Sequence, residues 1–504
     1  MLRVTRTENG MVRGLPCADP LITVYRGVPF AAPPVGKNRW RVPQPAENWE
    51  GVRDCYTFAP AALQQIPGVD FQNMYVKEFW SAGFPQSEDC LYLNIWTPAR
   101  TPADRLPVMV WIYGGGMQCG YTFEPEFDGV GIARRGVLLV TIPYRVGALG
   151  FLAHPELTAE TGGAGCTNFG LYDQKAALEW VKRNIENFGG DPDNITIFGQ
   201  SAGGRSVLFQ LTTPLNAPGL FHRAVNQSGG GIGGGAMRSY PALSEAEEAG
   251  RAFFDYLGVK TLAQARALPG ETVRRKGVEF CEKFRWGVSI DGHFVPDDPN
   301  ARLAAGQRLP VPLLCGYTKD DLGAFSLGNT VAEFEEMVRV RFPERAEEIL
   351  RLADAESGDM ARVRENISLN GQRFGLELLA MRAADSGLPA YFYEFAAHMP
   401  GDDNGAFHSA ELWFVFETLG VAWRPFTGRH YELAAQMCSY WTNFAKTGDP
   451  NGTDRCGAPL PRWEPYTAAS PRPMGLRETG VAMEDPASPA VRAMLDCAAG
   501  QLWR

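Results

Sequence analysis

The chain has 504 residues, 45% of them hydrophobic and 21% charged, which is ample apolar material for a large buried core. Its net charge of -9 argues against a nucleic-acid partner, because phosphate binding needs clustered Lys and Arg. No apolar run is long enough for a membrane-spanning helix, and the N-terminus lacks the apolar stretch of a secretory signal, so neither membrane nor export is expected.

The predicted elements alternate between strand and helix. Residues 108–113 and 137–144 are short apolar runs rich in β-branched side chains, as central strands of a parallel sheet require. Leu178, Val181, Ile185 and Phe188 recur at three- and four-residue steps, which predicts a helix stopped by Gly189-Gly190. Residues 195–199 read as a third strand, 310–315 and 390–395 as further ones, and Leu433, Met437, Tyr440, Trp441 and Phe444 as a late helix. Roughly 240–380 reads as mainly helical periphery and cap. The alternation predicts an α/β fold with a largely parallel sheet in one domain spanning 1–504.

Gly199-Gln200-Ser201-Ala202-Gly203 is a G-x-S-x-G motif between a strand and a helical stretch, the nucleophile elbow of α/β-hydrolases. The serine sits at the apex of a sharp turn, and the glycines remove Cβ atoms that would collide with neighbouring strand and helix. The dipole of the following helix favours a developing oxyanion at that point. Tyr113-Gly114-Gly115-Gly116 directly follows a predicted buried strand. Its glycines let backbone N–H groups aim at a substrate, so Gly115, Gly116 and Ala202 are the expected oxyanion donors.

A serine nucleophile needs a base, and the chain has six histidines: 154, 222, 293, 398, 408 and 430. The order Ser, acid, His excludes His154. His408 lies in a glycine-led loop after the 390–395 strand, where a sheet-end catalytic residue belongs. His398 shares that region and is the rival, whereas His222 and His293 lie in polar turns and read as surface residues. The acid should follow another strand. Asp320 and Asp321 follow 310–315, and the pattern alone leaves the choice between them open.

These motifs, with others along the chain, closely resemble the type-B carboxylesterase family, which includes the cholinesterases and bacterial p-nitrobenzyl-type esterases. The resemblance covers Ser87 to Trp96, Tyr113 to Gly116, Tyr144 to Gly147, Leu149 to Phe151, Asn168 to Gln174, Gly199 to Gly204, Phe221 to Ala224, Gln227 to Gly229 and Trp441 to Asn451. It implies Ser201 as nucleophile, His408 as base and Asp321 as acid, with the oxyanion hole at Gly115, Gly116 and Ala202. It also implies supporting positions for Ser228 and Asp320. Asp321 stands where the family usually has Glu, one methylene longer, so its loop must lie closer or the histidine must shift. Met117 replaces an aromatic, Pro143 an Asn, and Gln200 the Glu of cholinesterases. Trp80 lies where cholinesterases place a cation-binding tryptophan, but a plain hydrophobic wall fits the surrounding segment better. Trp80, Met117 and Trp286 are the expected pocket residues.

The ten cysteines are scattered, and none forms a Cys-x-x-Cys pair, which removes the usual zinc and redox signatures. In many relatives Cys90 pairs with a cysteine in the segment near Ala62, and no cysteine stands at that position here. Reduced thiols in a cytoplasmic enzyme are the expectation, with no metal or organic cofactor. The expected reaction is hydrolysis of a small-molecule carboxylic ester through an acyl-serine. Amides, thioesters and carbonates are alternative substrates for the same constellation. A catalytically silent binding protein is the alternative from another class, opposed by the presence of every triad residue type. The sequence does not state the oligomeric state.

Overall fold

The computed structural model describes residues 1–65, 73–79, 83–233, 240–323 and 325–503. Eleven strands form one sheet, labelled in chain order: β1 Leu15–Pro16, β2 Thr23–Pro29, β3 Tyr92–Thr97, β4 Leu106–Ile112, β5 Leu138–Ile142, β6 Gly190–Gln200, β7 Arg223–Gln227, β8 Leu313–Thr318, β9 Ala390–Phe395, β10 Met474–Arg477 and β11 Gly480–Met483. Their spatial order is β11-β10-β9-β8-β7-β6-β4-β5-β3-β2-β1. The strands from β5 to β10 pair in parallel, while β3, β2 and β1 on one side and β11 on the other are antiparallel. The central runs are buried throughout, from Val108 to Ile112 and from Leu138 to Ile142, because helices cover both faces of a parallel sheet.

The strand expectations hold, with shifts that have local causes. The strand placed at 310–315 begins only at Leu313, because Pro310 and Pro312 have no N–H to give to a ladder. Residues 137–144 pair only from Leu138 to Ile142, with Pro143 next. The segment 240–380 carries helices at Leu243–Leu257, Gly270–Phe280, Val331–Arg341 and Arg373–Asp385, with β8 running through it.

Four helices matter for the site: α1 Phe169–Asn184, α2 Ala202–Thr212, α3 Leu412–Val415 and α4 Gly428–Thr447. The apolar stripe of Leu178, Val181, Ile185 and Phe188 is fully buried, and Gly189 in the left-handed conformation ends the turn that follows α1. Successive residues on a strand face opposite sides of a sheet. On β7, Asn226 points to Gly204 of α2, whereas Gln227 accepts a hydrogen bond from Trp441 Nε1 of α4 at 3.1 Å. Helices α2 and α4 therefore cover opposite faces, and the loop ends of the parallel strands lie between them.

Candidate active site

Ser201 sits between β6 and α2 with φ 57° and ψ -122°, a conformation that side-chain-bearing residues rarely hold. Such strain costs about 1–3 kcal/mol and persists only where the surroundings fix it. The surroundings here are the two flanking glycines. A Cβ on Gly199 would stand 2.5 Å from the Gly203 backbone, and one on Gly203 would overlap the Ile112 carbonyl oxygen of β4. The Ser201 amide donates to Gln227 O at 2.8 Å, which ties the turn to β7.

Gly115 and Gly116 follow β4 with φ of 93° and 65°, which aims the loop at Ser201. Among the described residues, the amides of Gly115, Gly116 and Ala202 donate to no protein acceptor. That leaves three N–H groups for an oxyanion. The loop is braced by two stacked, buried tyrosines, with ring centroids 4.4 Å apart. Tyr144 Oη donates to Tyr113 O at 3.0 Å, and Tyr113 Oη donates to Tyr144 O at 2.9 Å.

His408 and Asp321 meet at the ends of different strands. His408 Nδ1 lies 2.5 Å from Asp321 Oδ1, and both side chains are shut from solvent, at 5% and 0% exposure. The shorter Asp therefore reaches the ring. Its carboxylate also accepts from the Leu322 amide at 2.7 Å. Burial raises the pKa of Asp321, but the His408 ring and the hydrogen bonds more than offset this and hold it below the usual carboxylate range. Ser228 helps to keep that charge, although its buried hydroxyl makes no hydrogen bond of ordinary geometry. Asp320, next door, has another role. Its Oδ2 accepts the Ala406 amide at 2.8 Å and its own amide donates to Ala406 O at 3.1 Å, which pins the His408 loop to β8.

On its other side, His408 Nε2 faces the Gln200 carboxamide nitrogen at 3.2 Å. A donor there and a carboxylate at Nδ1 fix the tautomer with the proton on Nδ1, which makes Nε2 the acceptor of the ring. Ser201 Oγ makes no hydrogen bond among the described residues, and catalytic hydrogen bonds are often long or unmade before substrate binds. His398 is exposed, and its carbonyl serves only to accept from His430 Nε2 at 2.9 Å. His222 and His293 are half-buried, not surface residues: His222 Nδ1 accepts the Ile195 amide at 3.1 Å, and His293 Nδ1 pairs with Tyr172 Oη at 2.7 Å.

Ser201, His408 and the glycine loop line a cavity of about 650 Å³, and Met117 is on its wall. Trp286 is not. Its ring is fully buried against Phe253 and Phe280, and it faces an adjoining cavity of about 210 Å³. Trp80 lies outside the described residues. Sequence reasoning missed three residues at the site. Glu411, one turn beyond His408, is fully buried, with its Oε1 3.5 Å from Gln227 Nε2 and no partner for Oε2. Burial, and then the charge of Asp321, push it up to about 7. Arg205 and Arg285 stand on the cavity wall. The signal for Glu411 and Arg205 was there to read, a lone charge in an otherwise apolar helical stretch.

Comparison with known proteins places the chain in a family. A family model described as the carboxylesterase family matches residues 2–491. A fumonisin B1 esterase of Sphingopyxis macrogoltabida is 34% identical over 470 residues, covering 89% of this chain and 82% of that protein. An acetylcholinesterase of Bungarus fasciatus is 33% identical over 534 residues, covering 97% and 84%. Among solved structures, a PNB esterase superposes with a TM-score of 0.79 at 28% identity, covering 98% of this chain and 99% of that one. A carboxylesterase of Geobacillus stearothermophilus gives 0.75 at 30% identity, covering 97% and 99%. The family model, the relatives and the solved structures all match along almost the whole chain, which belongs to the carboxylesterase family and is a serine carboxylesterase of the α/β-hydrolase fold.

Proposed function

We propose that Ser201, His408 and Asp321 carry out this ester hydrolysis, with Gly115, Gly116 and Ala202 as the oxyanion hole. The observation that carries the assignment is the buried His408–Asp321 pair at 2.5 Å. It sets the imidazole tautomer whose unprotonated Nε2 can take the Ser201 proton as the hydroxyl attacks the ester carbonyl. Charge then develops on the carbonyl oxygen. Three unengaged N–H groups support its stabilisation, each worth about 3–4 kcal/mol in comparable sites. The resulting imidazolium protonates the leaving alcohol. Water, activated by the same histidine, then attacks the acyl-serine and releases the acid. Ser228 supports the charge on Asp321, and Asp320 holds the loop that carries the base.

The test is release of nitrophenol from p-nitrophenyl esters of increasing acyl length, beside Ser201→Ala. Activity that disappears with Ser201 supports these catalytic roles; activity that survives at full rate in the variant sinks them, because loss of such a nucleophile costs on the order of 10⁶ in kcat. A cytoplasmic setting belongs to the same proposal. It is supported by ten cysteines that are all free thiols, and fractionation of the source cells tests it.

A further inference from the structure

We infer that the substrate is an ester whose acyl part carries a second, free carboxylate, bound by Arg205 with Arg285. The inference rests on the ester-hydrolase roles proposed above and names the chemistry of the acyl group. Arg205 stands one helical turn beyond Ser201 on α2 and is half-buried in the wall of the catalytic cavity. Its Nε makes only a long bond, 3.4 Å, to Gly229 O, and its Nη2 lies over Gly230, 3.3 Å from where a Cβ would stand. Arg285 comes from the loop after Gly270–Phe280 and lies against the oxyanion loop, its Nη2 2.7 Å from where a Cβ on Gly116 would stand. Among the described residues, neither guanidinium pairs with a carboxylate.

Arg285 is exposed, so the cost of leaving water without a counter-charge falls on the half-buried Arg205, and a carboxylate is the group its planar fork fits best. The protein's own carboxyls on this cavity are otherwise engaged. Glu124 Oε1 accepts the Tyr121 amide at 2.9 Å. Glu126 is fully buried, and burial together with the charge of Glu124 pushes its carboxyl well above the usual carboxylate range.

The topology places the carboxylate on the acyl side. The leaving oxygen must face His408 Nε2, which would protonate it. His408 leads into α3, and α3 packs on α4, whereas Arg205 projects from α2 on the opposite face of the sheet. The loop Gly229–Gly231 beside Arg205 is built by Asn226, whose side chain bonds the Gly229 amide at 3.0 Å and the Gly230 carbonyl at 2.9 Å. A group that reaches this loop from the carbonyl carbon lies away from the histidine.

Two matched pairs of esters test the inference. 4-Nitrophenyl hexanoate and mono-4-nitrophenyl adipate share the acyl chain and differ in its terminal carboxylate. Phenyl acetate and 3-carboxyphenyl acetate place the same difference in the leaving group. The expected result is a kcat/KM ratio of adipate to hexanoate ester of about ten or more. That ratio should fall about tenfold in Arg205→Gln, recover in part in Arg205→Lys, and shrink as salt is added. Serine-dependent hydrolysis of the hexanoate with no adipate preference, or an unchanged ratio in Arg205→Gln, overturns the inference and leaves the esterase roles standing. An arginine-dependent preference only within the acetate pair overturns the acyl placement. If none of the four esters is cleaved, the proposed catalytic roles fail; calorimetric binding of adipate then decides the anion site, with about tenfold weaker binding in Arg205→Gln supporting it and equal binding overturning it.

Discussion

His408 Nδ1 and Asp321 Oδ1 are 2.5 Å apart in a pocket that excludes water from both side chains. In that setting the carboxylate dictates which ring nitrogen carries the proton. Asp321→Asn keeps the shape but stops enforcing the tautomer, and we expect kcat to fall by roughly 10⁴ with KM little changed. Asp320→Asn instead weakens the clasp between the Asp320 carboxylate and the Ala406 amide. It should lower stability by about 1–2 kcal/mol while costing far less in kcat. Steady-state kinetics and thermal unfolding of the two variants check the division of labour; equal losses of kcat would reject it.

Glu411 makes stability depend on pH. Its folded pKa is pushed up to about 7 from an ordinary 4.5 by burial and then by Asp321. Between those values the unfolded chain releases a proton that the folded protein keeps, so stability falls as pH rises through the window. Below it no penalty is felt, and above about pH 7 the penalty is complete. The accumulated loss is about 3 kcal/mol. Glu411→Gln cannot ionise, so its stability relative to wild type should improve by that order from pH 4.5 to pH 7.5, as denaturant titrations at a series of pH values would show. A constant difference between the two proteins would refute the shifted titration.

Gly203→Ala tests how tightly the elbow is packed. The added methyl would overlap the Ile112 carbonyl oxygen, and both partners are backbone in the middle of the sheet, so neither can swing away. We expect a loss of about 3 kcal/mol in unfolding free energy, the upper end for overpacked sites, with activity falling more steeply because Ser201 is displaced. Retention of both would mean that the elbow tolerates repacking.

The parts of this site that follow from local chemistry were legible in the sequence. A strand, a G-x-S-x-G turn and a helix need only short-range sterics, and so do the glycines after β4. The choice between Asp320 and Asp321 was not legible from pattern, because both are plausible turn residues after a strand. In three dimensions the two part: Asp321 meets the His408 ring, and Asp320 bridges to the His408 loop, a contact between residues 86 positions apart. Trp286 was misplaced for the same reason. An aromatic in a variable loop reads as a pocket wall, but here the ring turns into a cluster with Phe253 and Phe280. Arg205 could be placed on the serine's helix from the sequence, yet its missing counter-charge becomes visible only when the whole cavity wall is assembled.

Tyr144 links the core to the oxyanion loop. It is fully buried, and its hydroxyl donates to the carbonyls of Tyr113 at 3.0 Å and Gly114 at 3.3 Å, the two residues ahead of the donors Gly115 and Gly116. Tyr144→Phe keeps the stacked ring but leaves both carbonyls without that partner. Losing a buried hydrogen bond in this way costs about 1–3 kcal/mol of stability. Because the loop would then sample positions in which its N–H groups miss the oxyanion, kcat should fall about tenfold while KM stays near its wild-type value. The split is the informative readout. A merely structural role for Tyr144 would lower the melting temperature and leave the kcat of the folded enzyme alone, whereas a bracing role predicts a loss of kcat at temperatures where the variant is fully folded.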